Sequence, residues 1–521
     1  MFNSNILAVN IPADGLFLAI LNKANNDFSN ENCSEIIKRY IDKHLEAKPD
    51  IILLNVCYRR CLTPSNVFDS YLYNIETDKD GFALKNQNNE TIKTLSPATE
   101  GVSKYFSSFF LCARALLQNG IDIYKILTEY IRQKGVKVYF SLRMNDGHYT
   151  DNPAINSSFA LKDGGVHTIN HDGAELDFSQ RTVHNYFYRY IKELIENYDI
   201  DGIELDWLRH PTVLPLEKRS DYNILNDYMK TIRQLLKSHN GNLGLAVRVL
   251  PNESDNLNNG VDVCQWIADG TVDIVTIENF YIPANFEMPI SEWKTNINKI
   301  NVSENPYKLL CGADWAVSCV ERYNIAMTPA LVRGFTHNCL SIGADGIYLF
   351  NFFEENDTSS FELAFDDLYA PYLKNCFVER MKAVKEFEEL PRRYVHIGST
   401  NRRYPVTLSA NGCYEFTHKI EMPFNNCKII IGCNLNCSFS VCTDNLEQLS
   451  LHSETVFKDF EYIPETQIGK SEFIYAVSQA APFVKSAILP IREADHGLLK
   501  ISIQNNSAET VNILWIELYV E

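Results

Sequence analysis

Short apolar segments alternate with longer amphipathic segments over most of this chain. The apolar segments have the length of β-strands and lie at Ile6–Ile11, Ile51–Cys57, Val136–Leu142, Gly202–Asp206, Leu243–Leu250, Asp273–Ile277, Lys308–Gly312 and Gly346–Phe350. Helical spacing occurs between them, at Glu35–Leu45, Ile123–Gln133, Val183–Tyr198, Tyr222–Ser238, Ser291–Ile300 and Ala330–Ile342. Strands that alternate with helices form parallel sheets. No glycine-rich dinucleotide loop follows the first strand. We therefore predict an α/β fold, a closed (β/α)8 TIM barrel rather than an open doubly wound sheet.

The pattern changes after a last predicted barrel helix, Leu363–Glu389. From Tyr404 onward, short alternating runs are separated by turn residues, which is typical of a small all-β sandwich. We predict a catalytic barrel over residues 1–395 and an accessory C-terminal β-sandwich over 396–521. The sandwich is expected to pack against the barrel, and sugar binding is the alternative role. The segment Tyr58–Gly120 is expected to be a long functional loop without secondary structure.

The acidic composition argues against one class of partner. The formal net charge is -18, whereas a nucleic-acid-binding surface is basic. The N-terminus lacks a basic segment followed by an apolar one, and no stretch is long and apolar enough to span a bilayer. We expect a cytoplasmic protein with reduced thiols and with no nucleic-acid or membrane partner. A removed export signal, with disulfides in the C-terminal part, is the alternative.

The segment DGIELDWLRHP, from Asp201 to Pro211, places two acids at the end of the fourth strand. Side chains alternate along a strand, so Glu204 and Asp206 share one face while the apolar residues between them share the other. Trp207, Arg209 and His210 follow directly. Acids, an aromatic ring and basic groups at a strand end form a poor core and a good sugar-cleaving site.

Polar and aromatic residues also follow the other strands. In a TIM barrel the carboxyl ends of all strands meet at one face, which holds the active site. The residues expected there, besides those of the fourth strand, are Arg143, Asn145, Asp146, His148, Arg248, Glu278, Tyr281, Asp314, Trp315 and Asn351. Packing alone explains such a set poorly, because buried charges cost free energy unless they are paired.

Glycoside hydrolysis requires two carboxyl groups, one to protonate the leaving oxygen and one to attack the anomeric carbon or activate water. We predict Asp206 as one member of the pair. Glu278 is the favoured partner, with Asp314 close behind. Glu204 lies deeper and either orients Asp206 or pairs with an arginine. For each acid the alternative is a structural ion pair.

The remaining candidates are predicted to bind substrate. Arg143, Arg209 and Arg248 either neutralise the acids or hold an anionic sugar through forked hydrogen bonds. The rings of Trp207, Tyr281 and Trp315 could stack on sugar faces, or belong to the core. The set is completed by the carboxyl group of Asp146 and by amide and imidazole groups, at Asn145, His148, His210 and Asn351.

Asp146, His148 and His210 are residue types that bind metal ions in other barrel enzymes. These residues show no tight His-x-His or Glu-x-x-His spacing. We predict no metal and no cofactor. A non-catalytic carbohydrate-binding barrel and a metal-dependent barrel enzyme of another class stay open as alternatives.

Four stretches carry a resemblance to a known group. YDIDGIELDWLRHP, which ends at Pro211, resembles the fourth-strand signature of the glycosyl-hydrolase-like TIM-barrel family, the family-10-like glycoside hydrolases. Val138–Asp146, Val272–Thr276 and Gly343–Tyr348 are similar to the same group. The resemblance covers most of residues 1–395. It implies a TIM barrel, O-glycosyl hydrolase activity and a carbohydrate substrate.

A more distant similarity is to chitinases of glycoside hydrolase family 18, whose fourth strand reads Asp-x-x-Asp-x-Asp-x-Glu. Asp201 and Asp206 fit this pattern, with Glu204 in place of an aspartate. Leu208 stands where that family has its catalytic glutamate. This difference argues against substrate-assisted chemistry of the chitinase type.

Overall fold

The fold is described from a computed structural model. It describes residues 5–24, 27–71, 75–78, 81–85, 91–95, 112–113, 115–147, 156–170, 173–280, 284–300, 306–314, 316–320, 323–351, 377–397, 405–420, 426–443, 448–453, 457–458, 476–477, 483–489 and 497–521. No helix within these ranges is long and apolar enough to cross a membrane.

Eight parallel strands close into a barrel. They are β1 (Ile6–Ile11), β2 (Ile51–Cys57), β3 (Lys137–Arg143), β4 (Gly202–Asp206), β5 (Gly244–Val249), β6 (Ile274–Ile277), β7 (Lys308–Ala313) and β8 (Gly346–Leu349). Each strand pairs with its neighbours in sequence, and β8 pairs with β1 to close the ring. This confirms the predicted TIM barrel.

Helices between the strands form the outer layer. They are α1 (Ala13–Lys23), α2 (Asn30–Leu45), α3 (Ile123–Gln133), α4 (Ser158–Leu161), α5 (Arg181–Asn197), α6 (Asn223–His239), α7 (Glu253–Asn258), α8 (Val263–Ala268), α9 (Ile290–Lys299), α10 (Pro329–Ser341) and α11 (Phe377–Lys385). Apolar side chains on alternate strand positions pack against them, as Ile203 and Leu205 do on β4. The other positions therefore face the barrel interior.

The lower interior of the barrel is apolar and closed. Tyr139 of β3 lies beside Gly202 of β4 and Gly244 of β5. A Cβ atom on Gly202 would lie 2.3 Å from the Tyr139 ring, and one on Gly244 would lie 2.1 Å from its hydroxyl oxygen. Only glycine leaves space for the ring at these two positions. The ring therefore fills the end of the barrel where the strands begin.

Two inserted sheets modify the simple barrel. Three antiparallel strands, Ile75–Asp78, Gly81–Lys85 and Thr91–Leu95, lie where we expected a loop without secondary structure, so that expectation was wrong. Their alternation is only four or five residues long, which is too short to distinguish from loop sequence. After β7, Ala316–Val320 and Tyr323–Ala326 form an antiparallel hairpin.

The C-terminal region is all-β, as predicted. Its longer strands are β9 (Arg392–Ile397), β10 (Val406–Leu408), β11 (Cys413–Ile420), β12 (Cys427–Cys433), β13 (Phe439–Thr443), β14 (Phe483–Leu489), β15 (Gly497–Asn505) and β16 (Val511–Val520). One sheet has the order β9-β16-β12-β14, with β10 also paired to β16. The other contains β11-β15-β13. Strand β9 crosses the predicted division between residues 395 and 396, and the division itself stays a prediction.

Helix α10 of the barrel packs directly on strand β9. Gly334 lies so close to it that a Cβ atom there would sit 1.8 Å from the carbonyl oxygen of Arg393. Arg333 donates from Nε to the carbonyl oxygen of Pro391 at 2.8 Å, and the Tyr394 hydroxyl lies 3.1 Å from Nδ1 of His337. These buried contacts join the two folds through backbone as well as side chains.

Candidate active site

Asp206, Arg248 and Glu278 form one buried network at the carboxyl ends of β4, β5 and β6. Arg248 donates from Nη1 to both Asp206 oxygens, at 3.1 and 3.0 Å. It also donates from Nε to Oε2 of Glu278 at 2.8 Å. Strand register explains the grouping, because Asp206 is the partner of Arg248 across the β4–β5 ladder. A single guanidinium thus holds two of the predicted catalytic acids.

The Asp206 carboxylate is held by more than its ion pair. Its Oδ1 also accepts hydrogen bonds from the backbone N–H groups of Leu208 and Arg209, at 3.0 and 3.2 Å. Two hydrogen bonds from Arg248 and two from the backbone therefore fix the position of this carboxyl group.

Glu278 is in a different electrostatic position. Burial raises the pKa of Glu278 to about 7, against the opposing effect of Arg248, and the nearby Asp314 and Asp206 raise it further. Gly312 of β7 makes the space that this side chain occupies, since a Cβ atom there would lie 2.2 Å from Glu278 Oε2. Glu278 therefore holds a proton more readily than a solvent-exposed glutamate does.

Glu204 lies one inward step below Asp206 and is fully buried. Its Oε1 accepts hydrogen bonds from the hydroxyls of Ser141, at 2.7 Å, and Tyr348, at 2.9 Å. Its Oε2 has no hydrogen-bond partner among the described residues. Burial, followed by the effect of Asp206, raises the pKa of Glu204 to about 8. Glu204 therefore carries a proton at neutral pH.

A cavity of about 10 Å³ lies beneath the site, lined by Glu204, Thr276, Tyr348 and apolar side chains. This is close to the smallest volume that holds one water molecule. The hydroxyl oxygen of Thr276 is also buried without a partner among the described residues. The layer under the catalytic candidates is thus mainly apolar, with a few buried polar groups and little space.

Phe350, which follows β8, is the aromatic centre of the barrel mouth. The guanidinium carbon of Arg248 lies 3.5 Å from the centre of its ring, and those of Arg209 and Arg143 lie 5.8 and 6.0 Å away. Cations over a ring face are attracted by its quadrupole. The ring therefore keeps three predicted site arginines together.

Arg143 connects this network to Asp146. It donates from Nη1 to Oδ2 of Asp146 at 2.8 Å and from Nη2 to Oδ1 of Asn351 at 3.3 Å. Its guanidinium also lies over the Tyr58 ring, 4.3 Å from the centre. The third strand and the segment after the eighth are thus joined across the mouth.

His210 lies on the other side of Asp146. Its Nδ1 accepts a hydrogen bond from the Gly147 N–H at 2.8 Å and lies 4.0 Å from Asp146 Oδ1. The backbone of His210 is left-handed, with φ 65°.

Asp314 follows β7 directly and is partly buried, and it is close enough to Glu278 to raise the pKa of Glu278.

The structure places two predicted binding residues outside the network at the barrel mouth. Trp207 points outward into the layer between strands and helices, where its ring packs against Phe178, Tyr228 and Trp266. Asn145 is buried, with its amide donating to the carbonyl of Thr212 and accepting from the N–H of Leu176. Strand alternation explains Trp207, because it is an odd position on a strand whose even positions face inward. Neither residue stays in the proposed binding set.

Three predicted site residues, His148, Tyr281 and Trp315, lie outside the described residues. Conversely, sequence reasoning left Ser141, Tyr348, Phe350 and Arg59 out of the site. Ser141 and Tyr348 could have been found by counting alternate positions on β3 and β8, because both lie on inward faces at the level of Glu204.

Groups of three or more His, Cys, Asp or Glu side chains that could hold a metal ion do not occur within the described ranges. The chemistry available from the described residues is that of carboxyl groups. One carboxyl group is fixed by an arginine and backbone donors, and burial raises the pKa of another to about 7.

No protein-family model and no curated protein matches the sequence. Solved structures that it resembles include the glycoside hydrolase domain of PgaB (BpsB) from Bordetella bronchiseptica, at 11% identity and a TM-score of 0.37, covering 72% of this chain and 99% of that one. The α-L-fucosidase AlfC from Lactobacillus casei is similar at 10% identity and a TM-score of 0.35, and the match covers 74% of this chain and 97% of that one. A Group II chitinase catalytic domain from Ostrinia furnacalis is similar at 10% identity and a TM-score of 0.37, and the match covers 73% of this chain and 96% of that one. These identities and TM-scores are low, so the function of this chain has to be argued from its own residues.

Proposed function

We propose that this protein is a glycoside hydrolase that cleaves O-glycosidic bonds of an oligo- or polysaccharide at the carboxyl face of its barrel. The observation that carries the proposal is the pairing of Asp206 and Glu278 on one buried arginine, together with the raised pKa of Glu278. A raised pKa is how glycosidases keep a carboxyl group available as a general acid near neutral pH. The resemblance of the β4 segment to the glycosyl-hydrolase-like TIM-barrel family supports the same activity.

The roles follow from the two environments. Glu278 is the proton donor, and it gives its proton to the glycosidic oxygen as the bond to the anomeric carbon breaks. Asp206 is the ionised partner, which attacks the anomeric carbon or removes a proton from the attacking water. One water molecule is added overall, and the free reducing end is the product. Asp314 is the second candidate for the partner of Asp206.

Glu204 is a positioning residue in this scheme. A carboxylic acid that is protonated directly below Asp206 adds no second negative charge to the site. Arg248 therefore remains available to Asp206 and Glu278. Arg143, Arg209 and Asn351 surround the mouth and are proposed to contact the substrate.

The test is a reducing-end release assay over neutral and acidic glycans, with wild type, Asp206→Asn, Glu278→Gln and Asp314→Asn. We expect release by wild type and a loss of about 10²-fold or more in Asp206→Asn and Glu278→Gln. Glu415→Gln changes an exposed acid on β11 in the same conservative way and should leave the rate unchanged. Equal rates in wild type and both of the first two variants would contradict the assignment.

A second function is favoured by one specific observation. Arg248 engages Asp206 and Glu278 at the same time, an arrangement that would also hold both acids in structural ion pairs. A non-catalytic carbohydrate-binding barrel would release no reducing sugar from any glycan. It would still bind one, and Asp206→Asn would keep that binding.

A further inference from the structure

Arg59 lies in the tight turn that follows β2, at the same face of the barrel as the carboxyl groups. Its side chain is buried, at 4% exposure. Nε donates to the backbone carbonyl oxygen of Asp146. Both terminal nitrogens, Nη1 and Nη2, are buried and have no hydrogen-bond partner in the part of the chain that the structure describes.

Such an arrangement requires an explanation. Buried charged donors are nearly always satisfied, and the exceptions point to an absent ion, ligand or water. The two free nitrogens of Arg59 lie at the end of one planar group. This end-on fork matches the two oxygens of a carboxylate or sulfate, which makes an oxyanion the best fit.

A second arginine adjoins the first. Arg143 pairs with the side chain of Asp146, whose backbone Arg59 contacts. The Nε of Arg143 is also buried without a partner among the described residues. Asp206 is the strand partner of Arg143 across the β3–β4 ladder, so Arg143 lies next to the proposed reacting acids, and both arginines contact Asp146.

Arg59 remains cationic at neutral pH. Burial lowers the pKa of Arg59 to about 10, and the carboxyl groups of Asp146 and Glu175 act in the opposite direction. These two acids balance the charge of the arginines, yet they leave the donors of Arg59 unfilled. What is missing is therefore hydrogen-bond acceptors.

We propose that Arg59 and Arg143 form an anion subsite that binds an acidic substituent, a carboxylate or a sulfate, on a sugar unit beside the one that is cleaved. That the bearer of the anion is a sugar rests on the proposed function. Capture of the oxyanion itself rests only on the two arginines, and the test keeps these two parts separate.

The experiment is isothermal titration of the full-length protein with glucuronate, glucose 6-sulfate and glucose. Wild type should bind at least one of the acidic sugars about tenfold more tightly than glucose, a difference of about 1.4 kcal/mol. A preference for glucuronate identifies a carboxylate site, and a preference for glucose 6-sulfate a sulfate site. Equal binding of all three, or binding of none, overturns the proposal.

The variant Arg59→Lys keeps the charge and removes the fork, so it should lose most of the preference. Arg60→Lys is the control in the same turn, because Arg60 also donates from Nε to a carbonyl, that of Asn156, but only Nη1 of its two terminal nitrogens is buried without a partner among the described residues, so it presents no free fork. It should keep the preference. An unchanged preference in a folded Arg59→Lys protein overturns the proposal.

If Arg59→Lys does not fold, competition in wild type decides. Inorganic sulfate should displace the acidic sugar, and no displacement at saturating sulfate counts against the subsite. Binding without hydrolysis of any glycan would remove the proposed function and leave the subsite. Hydrolysis of a glycan with no preference for acidic sugars would support the proposed function and overturn the subsite.

Discussion

At the scale of single residues, the main feature is that three acids in one barrel mouth lie in different surroundings. Asp206 accepts hydrogen bonds from an arginine and two backbone N–H groups. Burial raises the pKa of Glu278 and the pKa of Glu204. Each shift has a consequence that can be measured as a function of pH.

The first consequence is an alkaline limit on activity. Glu278 must be protonated to act as the acid, and its pKa is about 7. We expect kcat/KM to fall as pH rises through about 7. Glu278→Gln should have a rate lower by about 10²-fold or more, without this limb. A pH profile of kcat/KM checks both, and an unshifted alkaline limb in Glu278→Gln would assign the limb to another group.

The second consequence concerns stability. The pKa of Glu204 is raised in the folded state, so its contribution is fully present below the unfolded pKa of about 4.3 and is lost as pH rises through about 8. Glu204→Gln does not titrate and keeps an acceptor for Ser141 and Tyr348. We expect its Tm to match wild type near pH 5 and to exceed it at pH 9, by an amount equivalent to a few kcal/mol.

Glu517→Gln is the contrasting control for that series. Glu517 is fully buried and paired with Arg393 at 2.8 Å, so removing its charge leaves a buried guanidinium uncompensated. Its Tm should fall rather than rise near neutral pH. A Glu204→Gln protein that is less stable than wild type at pH 9 would contradict the raised pKa of Glu204.

At the scale of elements, β7 controls the position of an acid on β6. Gly312 faces the interior, and any Cβ atom there would overlap Glu278. We expect Gly312→Ala to fold, because strand pairing does not involve the side chain, and to lose activity about 10-fold or more through a displaced acid. Circular dichroism and the glycan assay test the two parts. Gly241→Ala, whose Cβ would meet nothing within 4 Å, is the control and should behave as wild type.

Elements were also the scale at which sequence patterns predicted most. The β2 and β4 strands were predicted with their observed ends because turn residues and apolar runs coincide there. Alternation on β4 placed Glu204 and Asp206 inward. The same rule should have placed Trp207 outward, and only its position after the strand's end made it look like a site residue.

Other site features depend on distances between strands, which a single sequence does not contain. Arg248 bridges two acids from neighbouring strands, and Phe350 gathers three arginines from β3, β5 and the segment after β4. Each residue was visible at a strand end, but which acid pairs with which arginine depends on register and rotamer. The unfilled donors of Arg59 likewise become apparent only when burial is known.

At the scale of the whole molecule, barrel and sandwich meet through α10 and β9. Gly334 lets the two backbones touch, so Gly334→Ala must push them apart. We expect wild type to unfold in one calorimetric transition. The variant should lose several degrees of Tm, since 1 kcal/mol corresponds to roughly 2–4 °C in domains of this size. Two separate transitions in wild type would mean that the contact does not couple the folds.

The ring of Tyr139 lies beside two glycines at the start of β4 and β5 and blocks that end of the barrel. Whatever reaches Asp206 enters and leaves by the same face, and no chain can run along the axis. A long polymer, if one is the substrate, would therefore have to bind across the rim, with one linkage close to the acids. If the proposed hydrolysis takes place here, both products leave by the same face, and the rate of turnover would depend on how quickly the rim releases them.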